Sequence, residues 1–430
     1  MLDTLKEKGF KFKIDSRTIE KGDIFLCLRG EKTNGHLFIE DALNRGASYV
    51  IVDEEYNKKQ EERIIKVENV LKEMLESSAK ILNKGAKIKI GITGSNGKTT
   101  TKECLYYLLS QYFTTFRNEM NMNTEIGIPL SILNSYNKEE ISILEAGLRK
   151  KGDLEFLTQF YQFDVVIITN IGASHLEYLE NIENVAQEKM KITNNMKKGL
   201  LIINGDFHLL KESAPKHLNI LTFGTNNEND AILKDYEYND NNTTTIYAKI
   251  FGQELMLTLS EYWSEGQILD LLACILFLIY LELPIDPYYI FKIKIPQDRF
   301  QIIRKGNSII INDSYNASYE SFINAFKSLD KLKISPKIMI MGEMKELGKD
   351  SQEYHRKVLQ EAENIFDYIY FYDPNKEFST FLKSDDKTVF FDNIEQIKEI
   401  LLKHSEKGLI YIKGSHATGI NQYIKESDLL

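Results

Sequence analysis

Residues 88–101 read IKIGITGSNGKTTT: an apolar, β-rich run, a turn built on glycines, then a lysine and three threonines. Glycines let backbone N–H groups close around phosphate oxygens, and the start of a helix adds partial positive charge there. A strand that feeds such a turn and continues into a helix opens a βαβ unit, which commits the chain to a parallel α/β sheet. Lys98 can reach the outer phosphates of a nucleotide, and the Thr99 hydroxyl can hold Mg²⁺. Gly94, Ser95, Asn96, Gly97 and Thr100 complete the expected phosphate cradle. The loop reads G-x-T-G-x-N-G-K-T-T; Ile92 stands where the strict G-x-x-x-x-G-K-[ST] pattern has its first glycine.

The same rhythm recurs along the chain. ISILEAG, DVVIITNIG and GLLIIN are unbroken apolar runs, as in strands buried on both faces of a parallel sheet, and helix-compatible stretches such as Thr99–Ser110 separate them. Residues 231–260 instead alternate around the polar turn NDNNTTT, which predicts a β-hairpin insertion. Beyond Pro296 the βα rhythm returns in SIIINDS, KIMIMG, YIYFYD and LIYIKGS. Before Ala86, short strands (IFLCL, SYVIVD) flank a polar loop at Arg29–His36, and a helix is expected over Val70–Asn83. At 430 residues the chain exceeds one ordinary core. The expectation is an α/β protein of three domains: a small N-terminal α/β domain (1–86), a central P-loop ATPase-like parallel-sheet domain with the hairpin insertion (87–296), and a C-terminal Rossmann-like domain (297–430).

A net charge of −9 argues against a nucleic-acid partner, whose phosphates call for a basic surplus. Cys27, Cys104 and Cys274 make neither a disulfide framework nor a zinc pattern, which fits a reducing compartment. The first residues carry no apolar signal-peptide core. The apolar run Leu271–Leu281, flanked by Asp270 and Glu282, falls short of the roughly 20 residues that span a bilayer and predicts a buried helix. A cytoplasmic monomer with no membrane insertion is expected.

A nucleotide's Mg²⁺ wants oxygen ligands, commonly a carboxylate beside the phosphates. Glu145 ends the strand-like ISIL, and strand ends face the ligand crevice in open α/β sheets. Asp153, with the look of a helix cap, and Asp164, which precedes a strand, fit less well. His175 follows VVIITNIGAS on the same expected edge, a place for a metal or substrate contact. Lys189, within NVAQEKMKI, has by chemistry alone the look of a surface lysine. Asn121 and Asn123 lie in a polar loop before a helix. Asp313, Tyr315 and Asn316 follow SIIIN, and Lys413 ends another strand.

Taken together, the sequence resembles the Mur ligase family over nearly its whole length. IDSRTIEKGDIFLCLRGEKTNGHLFIEDALNRGASYVIVD is similar to the family's uridine-nucleotide domain and GITGSNGKTTT to its ATP loop. NMNTEIGIPLSIL, LEAGLRKKGDL and NIGASHLEYLENIENVAQEKMKI follow in family order, and NDSYNASYESFINAF, MGEMKELG and IKGS resemble its C-terminal domain. The resemblance implies an ATP-dependent ligase that forms an amide bond through an acyl-phosphate in peptidoglycan precursor synthesis. DSYNA with MGEMKELG implies a UDP-linked muramoyl-peptide and D-alanyl-D-alanine as its small-molecule substrates. It further implies that Thr99 and Glu145 share one Mg²⁺ and that His175 supports a second. Lys189 matches a lysine carbamylated in several members, where it assists that second metal. Ser16, Arg17, Asn34 and His36 would contact the uridine nucleotide, and Asn121 and Asn123 the muramoyl-peptide. Asp313, Tyr315, Asn316 and Lys413 would serve nucleotide and dipeptide, and Arg299 would sit near ATP. The sequence departs from the family at Asp298, Thr124, Ser318, Tyr319 and His416. It departs also at Gln267 and Asp270, where relatives carry an asparagine-rich adenine contact. An aspartate can accept from the adenine amino group but, when ionised, cannot donate to a ring nitrogen. A paralogue with other substrates and a non-catalytic nucleotide-binding protein are the rival readings.

Overall fold

Three sheets succeed one another along the chain in the computed structural model, which describes all residues except 31–32, 58–61, 120, 174–175, 306, 383–385, 406 and 427–430. His175 therefore lies outside the described residues. The first sheet is wholly parallel, in the order β1 (Phe12–Lys13), β2 (Ile24–Leu26), β3 (Tyr49–Asp53) and β4 (Ile64–Val67). The Val70–Gly85 helix follows, capped by the Asn69 side chain accepting from the Lys72 amide. Phe12, Ile24, Leu26, Val70 and Met74 form one buried cluster with Leu130 and Leu133, which belong to the Gly127–Ser135 helix beyond the first sheet. Asn134 of that helix pairs with the outer edge of β1: its Oδ1 accepts from the Phe12 amide at 2.9 Å, and its Nδ2 donates to the Phe12 carbonyl at 2.9 Å.

The central sheet has nine strands: β5 (Ile88–Thr93), β6 (Thr115–Arg117), β7 (Ile141–Glu145), β8 (Val165–Ile168), β9 (Leu200–Asn204), β10 (Asn219–Gly224), β11 (Ala231–Tyr238), β12 (Thr243–Ile250) and β13 (Gln253–Ser260). Their spatial order is β13-β12-β11-β10-β9-β8-β5-β7-β6, parallel from β6 to β11 and antiparallel beyond. β7, β8 and β9 are buried along their whole length, which accounts for their unbroken apolar sequences. The hairpin expected across NDNNTTT joins β11 to β12. A second turn, Phe251–Gly252, with both φ angles positive, adds β13, so the segment is a three-stranded extension of the sheet. The Glu265–Tyr280 helix starts with a capping box between Ser264 and Gln267 and is buried from Leu271 to Leu278 between the sheet and the Lys98–Leu109 helix. Among the described residues, no helix is long and apolar enough to cross a membrane.

The third sheet runs β14-β15-β19-β16-β17-β18, built from β14 (Gln301–Lys305), β15 (Ser308–Asn312), β16 (Lys337–Met341), β17 (Tyr368–Tyr372), β18 (Thr388–Phe391) and β19 (Gly408–Lys413). Only β14 is antiparallel to its neighbour. In the central sheet β5 lies between β7 and β8, so its carboxyl end marks a switch point where a ligand crevice is expected. In the third sheet β15 and β19 are neighbours, which brings Asp313 and Lys413 together.

Candidate active site

The loop after β5 takes the shape its glycines permit. Gly97, at φ 81°, caps the Lys98–Leu109 helix, and a Cβ there would stand 2.2 Å from Asp270 Oδ1. A Cβ on Gly94 would stand 1.8 Å from Thr169 Oγ1. The end of β8 braces the turn. The Ser95 amide donates to the Asn170 carbonyl (3.1 Å), the Asn96 amide to Asn170 Oδ1 (2.8 Å), and the Gly172 amide to Ser95 Oγ (3.0 Å). Lys98 curls over the loop, its Nζ donating to the carbonyls of Gly94 (2.7 Å) and Ser95 (3.1 Å). Burial lowers the pKa of this ammonium, against the opposing pull of Glu145.

Glu145, at the end of β7, is 3% exposed and satisfied on all sides. Its Oε2 accepts from Thr99 Oγ1 (2.9 Å) and lies 3.3 Å from Lys102 Nζ, while Oε1 accepts from Asn123 Nδ2 (2.9 Å). Asn118 clamps the Glu145 backbone, accepting from its amide (2.8 Å) and donating to its carbonyl (3.0 Å). Burial alone would raise the pKa of this carboxyl. Lys102, Lys98, the Asn123 bond and Arg299 outweigh that and hold it below the ordinary value.

The third sheet supplies the opposite wall. Arg299 stacks 3.9 Å from the Tyr315 ring centroid and donates to Thr99 Oγ1 (2.9 Å). Tyr315 donates from its hydroxyl to Asn121 Oδ1. Asp313 accepts from Lys413 Nζ (2.6 Å), the Tyr411 hydroxyl (2.9 Å) and the Phe300 amide (3.0 Å), which ties the segment carrying Arg299 to two strand ends. Asn96 Nδ2 donates to Ser318 Oγ (3.0 Å), and the Ala173 amide to Glu320 Oε1 (2.7 Å). Between the walls lies a cavity of about 270 Å³, lined among others by Lys98, Glu145, Asp270, Arg299, Tyr315 and Lys413. Asn123, Gln267, Asp313 and Asn316 open onto it, as do Ser95 to Thr100 and Asp153.

Gln267 is committed to the protein itself, its Nε2 donating to the Arg299 carbonyl (2.7 Å) and its Oε1 accepting from the Ser264 amide (2.9 Å). Asp270 rests against Gly97, and burial pushes its pKa up to about 8, with Thr101, Arg299 and Lys98 opposing. The surface position that its chemistry alone suggests for Lys189 is wrong. It is 1% exposed in the Ile182–Met190 helix, because its neighbours Val185, Ala186 and Met190 turn that face of the helix into the core. Burial holds its pKa well below the usual lysine value, and nearby Lys98 adds to the effect. Ser16, Arg17, Asn34 and His36 lie in the first unit and do not line this cavity. Arg17 is exposed and paired with Asp15, and Ser16 is buried. Asn34 holds His36 through its amide and ring, and His36 stacks on Tyr56. Sequence reasoning missed Lys102, Asn118, Asn170, Ser318 and Glu320. Only Lys102 carried a usable signal, since it falls one turn after Lys98 on the same helix.

Comparison with known proteins gives three family models in sequence: "Mur ligase family, catalytic domain" over residues 12–95, "Mur ligase middle domain" over 92–276, and "Mur ligase, glutamate ligase domain" over 298–416. The UDP-N-acetylmuramoyl-tripeptide–D-alanyl-D-alanine ligase of Rickettsia prowazekii is 30% identical, covering 96% of this chain and 94% of its own. The chain belongs to the Mur ligase family. The like-named enzyme of Bacillus subtilis is 30% identical over 80% of this chain and 75% of its own length. Among solved structures, a MurF ligase from Thermotoga maritima in complex with ADP superposes on this Mur ligase with a TM-score of 0.89 at 31% identity, covering 96% of both chains. A MurF from Acinetobacter baumannii, at 23% identity and a TM-score of 0.85, shares the fold.

Proposed function

We propose that this Mur ligase joins D-alanyl-D-alanine to UDP-N-acetylmuramoyl-tripeptide, with ATP supplying the activation through an acyl-phosphate. The observation that carries the reading is convergence. The phosphate loop and Glu145 face Arg299, Tyr315, Asp313 and Lys413 across one cavity, with the two sides drawn from different sheets. A carboxylate is a poor acyl donor because its leaving group would be oxide, and phosphorylation supplies a better one. The peptide carboxylate attacks the γ-phosphorus, the β–γ oxygen bond breaks, and ADP leaves. The neutral amine of the dipeptide then adds to the acyl carbon, and the tetrahedral intermediate expels phosphate as the amine sheds its proton. Lys98, released from the Gly94 and Ser95 carbonyls, offsets charge on the transferring group, and Arg299 does so from the facing wall. Closure between the sheets excludes water from the acyl-phosphate. Ser16, Arg17, Asn34 and His36 serve the uridine end of the long substrate, away from the cavity. Asn121 and Asn123 serve its peptide end, and the chain acts as a monomer in the cytoplasm.

The donor set fits Mg²⁺: the Thr99 hydroxyl and the Glu145 carboxylate are hard oxygen ligands beside a glycine loop where a Cβ at Gly94 or Gly97 would collide with Thr169 or Asp270. Thr99 and Glu145 would hold one ion, and His175 with Lys189 a second; when bound, they neutralise phosphate charge. A neutral, buried amine is also the species that adds to CO₂, forming an N–C bond and releasing a proton, which would make Lys189 a carbamate. With ¹³C-bicarbonate the parent protein is expected to show a carbamate carbon resonance absent from Lys189→Arg, whose turnover falls roughly 10- to 100-fold. Identical spectra would remove the modification. The test of the whole reading is ADP formation with UDP-N-acetylmuramoyl-tripeptide and D-alanyl-D-alanine, each omitted in turn. Turnover should need both. Full turnover without the dipeptide, or none with both present, overturns it.

A further inference from the structure

Lys102 is absent from the chemistry above, yet no part of its surface reaches solvent. It lies on the Lys98–Leu109 helix, and its Nζ donates to the Asn118 carbonyl at 3.0 Å and stands 3.3 Å from Glu145 Oε2. That oxygen also accepts from Thr99 Oγ1. An ammonium is thus built in against the carboxylate that the proposed function gives to Mg²⁺. A second carboxylate, Glu103, lies 3.6 Å from the ammonium, but it is also engaged by Arg117 at 2.9 Å. Lys98 and Arg299 add further positive charge around Glu145. Those two can turn toward phosphates; Lys102, fully enclosed, stays with the carboxylate. A lone divalent cation arriving here meets a carboxylate already compensated. With a nucleotide the balance reverses, because its phosphates bring several negative charges and further oxygen ligands. Among the described residues, moreover, no cluster of three or more His, Cys, Asp or Glu is placed to hold a metal unaided.

We propose that Lys102 is a resident counter-cation of Glu145 that keeps free divalent metal out of the phosphate site, so that the ion enters only together with nucleotide. The inference rests on the assignment of Thr99 and Glu145 to that ion. Lys102 is a positioning residue: it sets the charge and orientation of a ligand and touches no substrate.

The test is binding of Mn²⁺ to the full chain, followed by loss of the free-ion electron paramagnetic resonance signal at a fixed pH of 8. Without nucleotide, Lys102→Met should bind Mn²⁺ at least about tenfold more tightly than the parent, since an adjacent cation shifts a carboxylate's proton affinity by roughly 1–3 units. Lys102→Arg should match the parent, and adding Glu145→Gln should abolish the gain. Where Lys102→Met melts early, Lys102→Gln keeps a donor for the Asn118 carbonyl and the same gain is expected. Equal affinities in parent and charge-removed variants, or a gain that survives Glu145→Gln, overturn the proposal. A separate arm uses a non-hydrolysable ATP analogue. If Glu145→Gln binds Mn²⁺ with the analogue as well as the parent does, the assignment of Glu145 itself is at fault.

Discussion

Lys98→Ala should lower substrate-dependent ADP formation by roughly 10²–10³-fold while leaving the fold intact, the scale of losing one preorganised donor at a centre of developing charge. The expectation follows from how little else the side chain does. Among the described residues its ammonium bonds only the carbonyls of Gly94 and Ser95, on a loop already braced by Asn170 and Gly172. Lys98→Arg should not restore the rate, because a planar guanidinium cannot replace a compact ammonium in so close a turn. Steady-state rates for the parent and both variants, with melting curves, check this. Near-parental turnover in Lys98→Ala would remove the phosphate loop from the chemistry.

Asp270→Asn should make the protein more stable at neutral pH, with a gain that grows with pH. In the folded chain burial pushes Asp270 up to about 8 from an ordinary 3.8. Between those values the folded state binds a proton that the unfolded state has lost, so stability falls as pH rises, by about 1.4 kcal/mol per unit. Above pH 8 both states are ionised and the cost is constant. Asparagine carries no such linkage. The two proteins should be equally stable near pH 4 and differ by up to about 4 kcal/mol at pH 7. Urea unfolding across pH 4–8 decides it, and parallel profiles would mean that Asp270 is ionised throughout.

The fold was legible because its strands obey a local rule. β7, β8 and β9 are buried on both faces and therefore apolar at every position, and the glycines after β5 announce their turn. The strand count at 231–260 was underestimated because the Phe251–Gly252 turn puts a phenylalanine where positive φ usually selects glycine or asparagine. At the site, Lys98, Thr99 and Glu145 could be found from their places at element ends. Asp270 could not be placed against Gly97, because that contact depends on how the Glu265–Tyr280 helix settles on the Lys98–Leu109 helix. Lys189 was opaque for a similar reason. A lysine in a polar helical stretch gives no local sign that the neighbouring elements will close over it, or that burial will lower its pKa.

The Asn134 amide fills both outward backbone groups of Phe12 at the border of the first sheet. Strand borders left open invite a passing chain to dock and propagate. Here the protein answers its own invitation with a single side chain from another helix, so Asn134 acts as a safeguard against self-templated clumping as well as a rivet between two parts of the molecule.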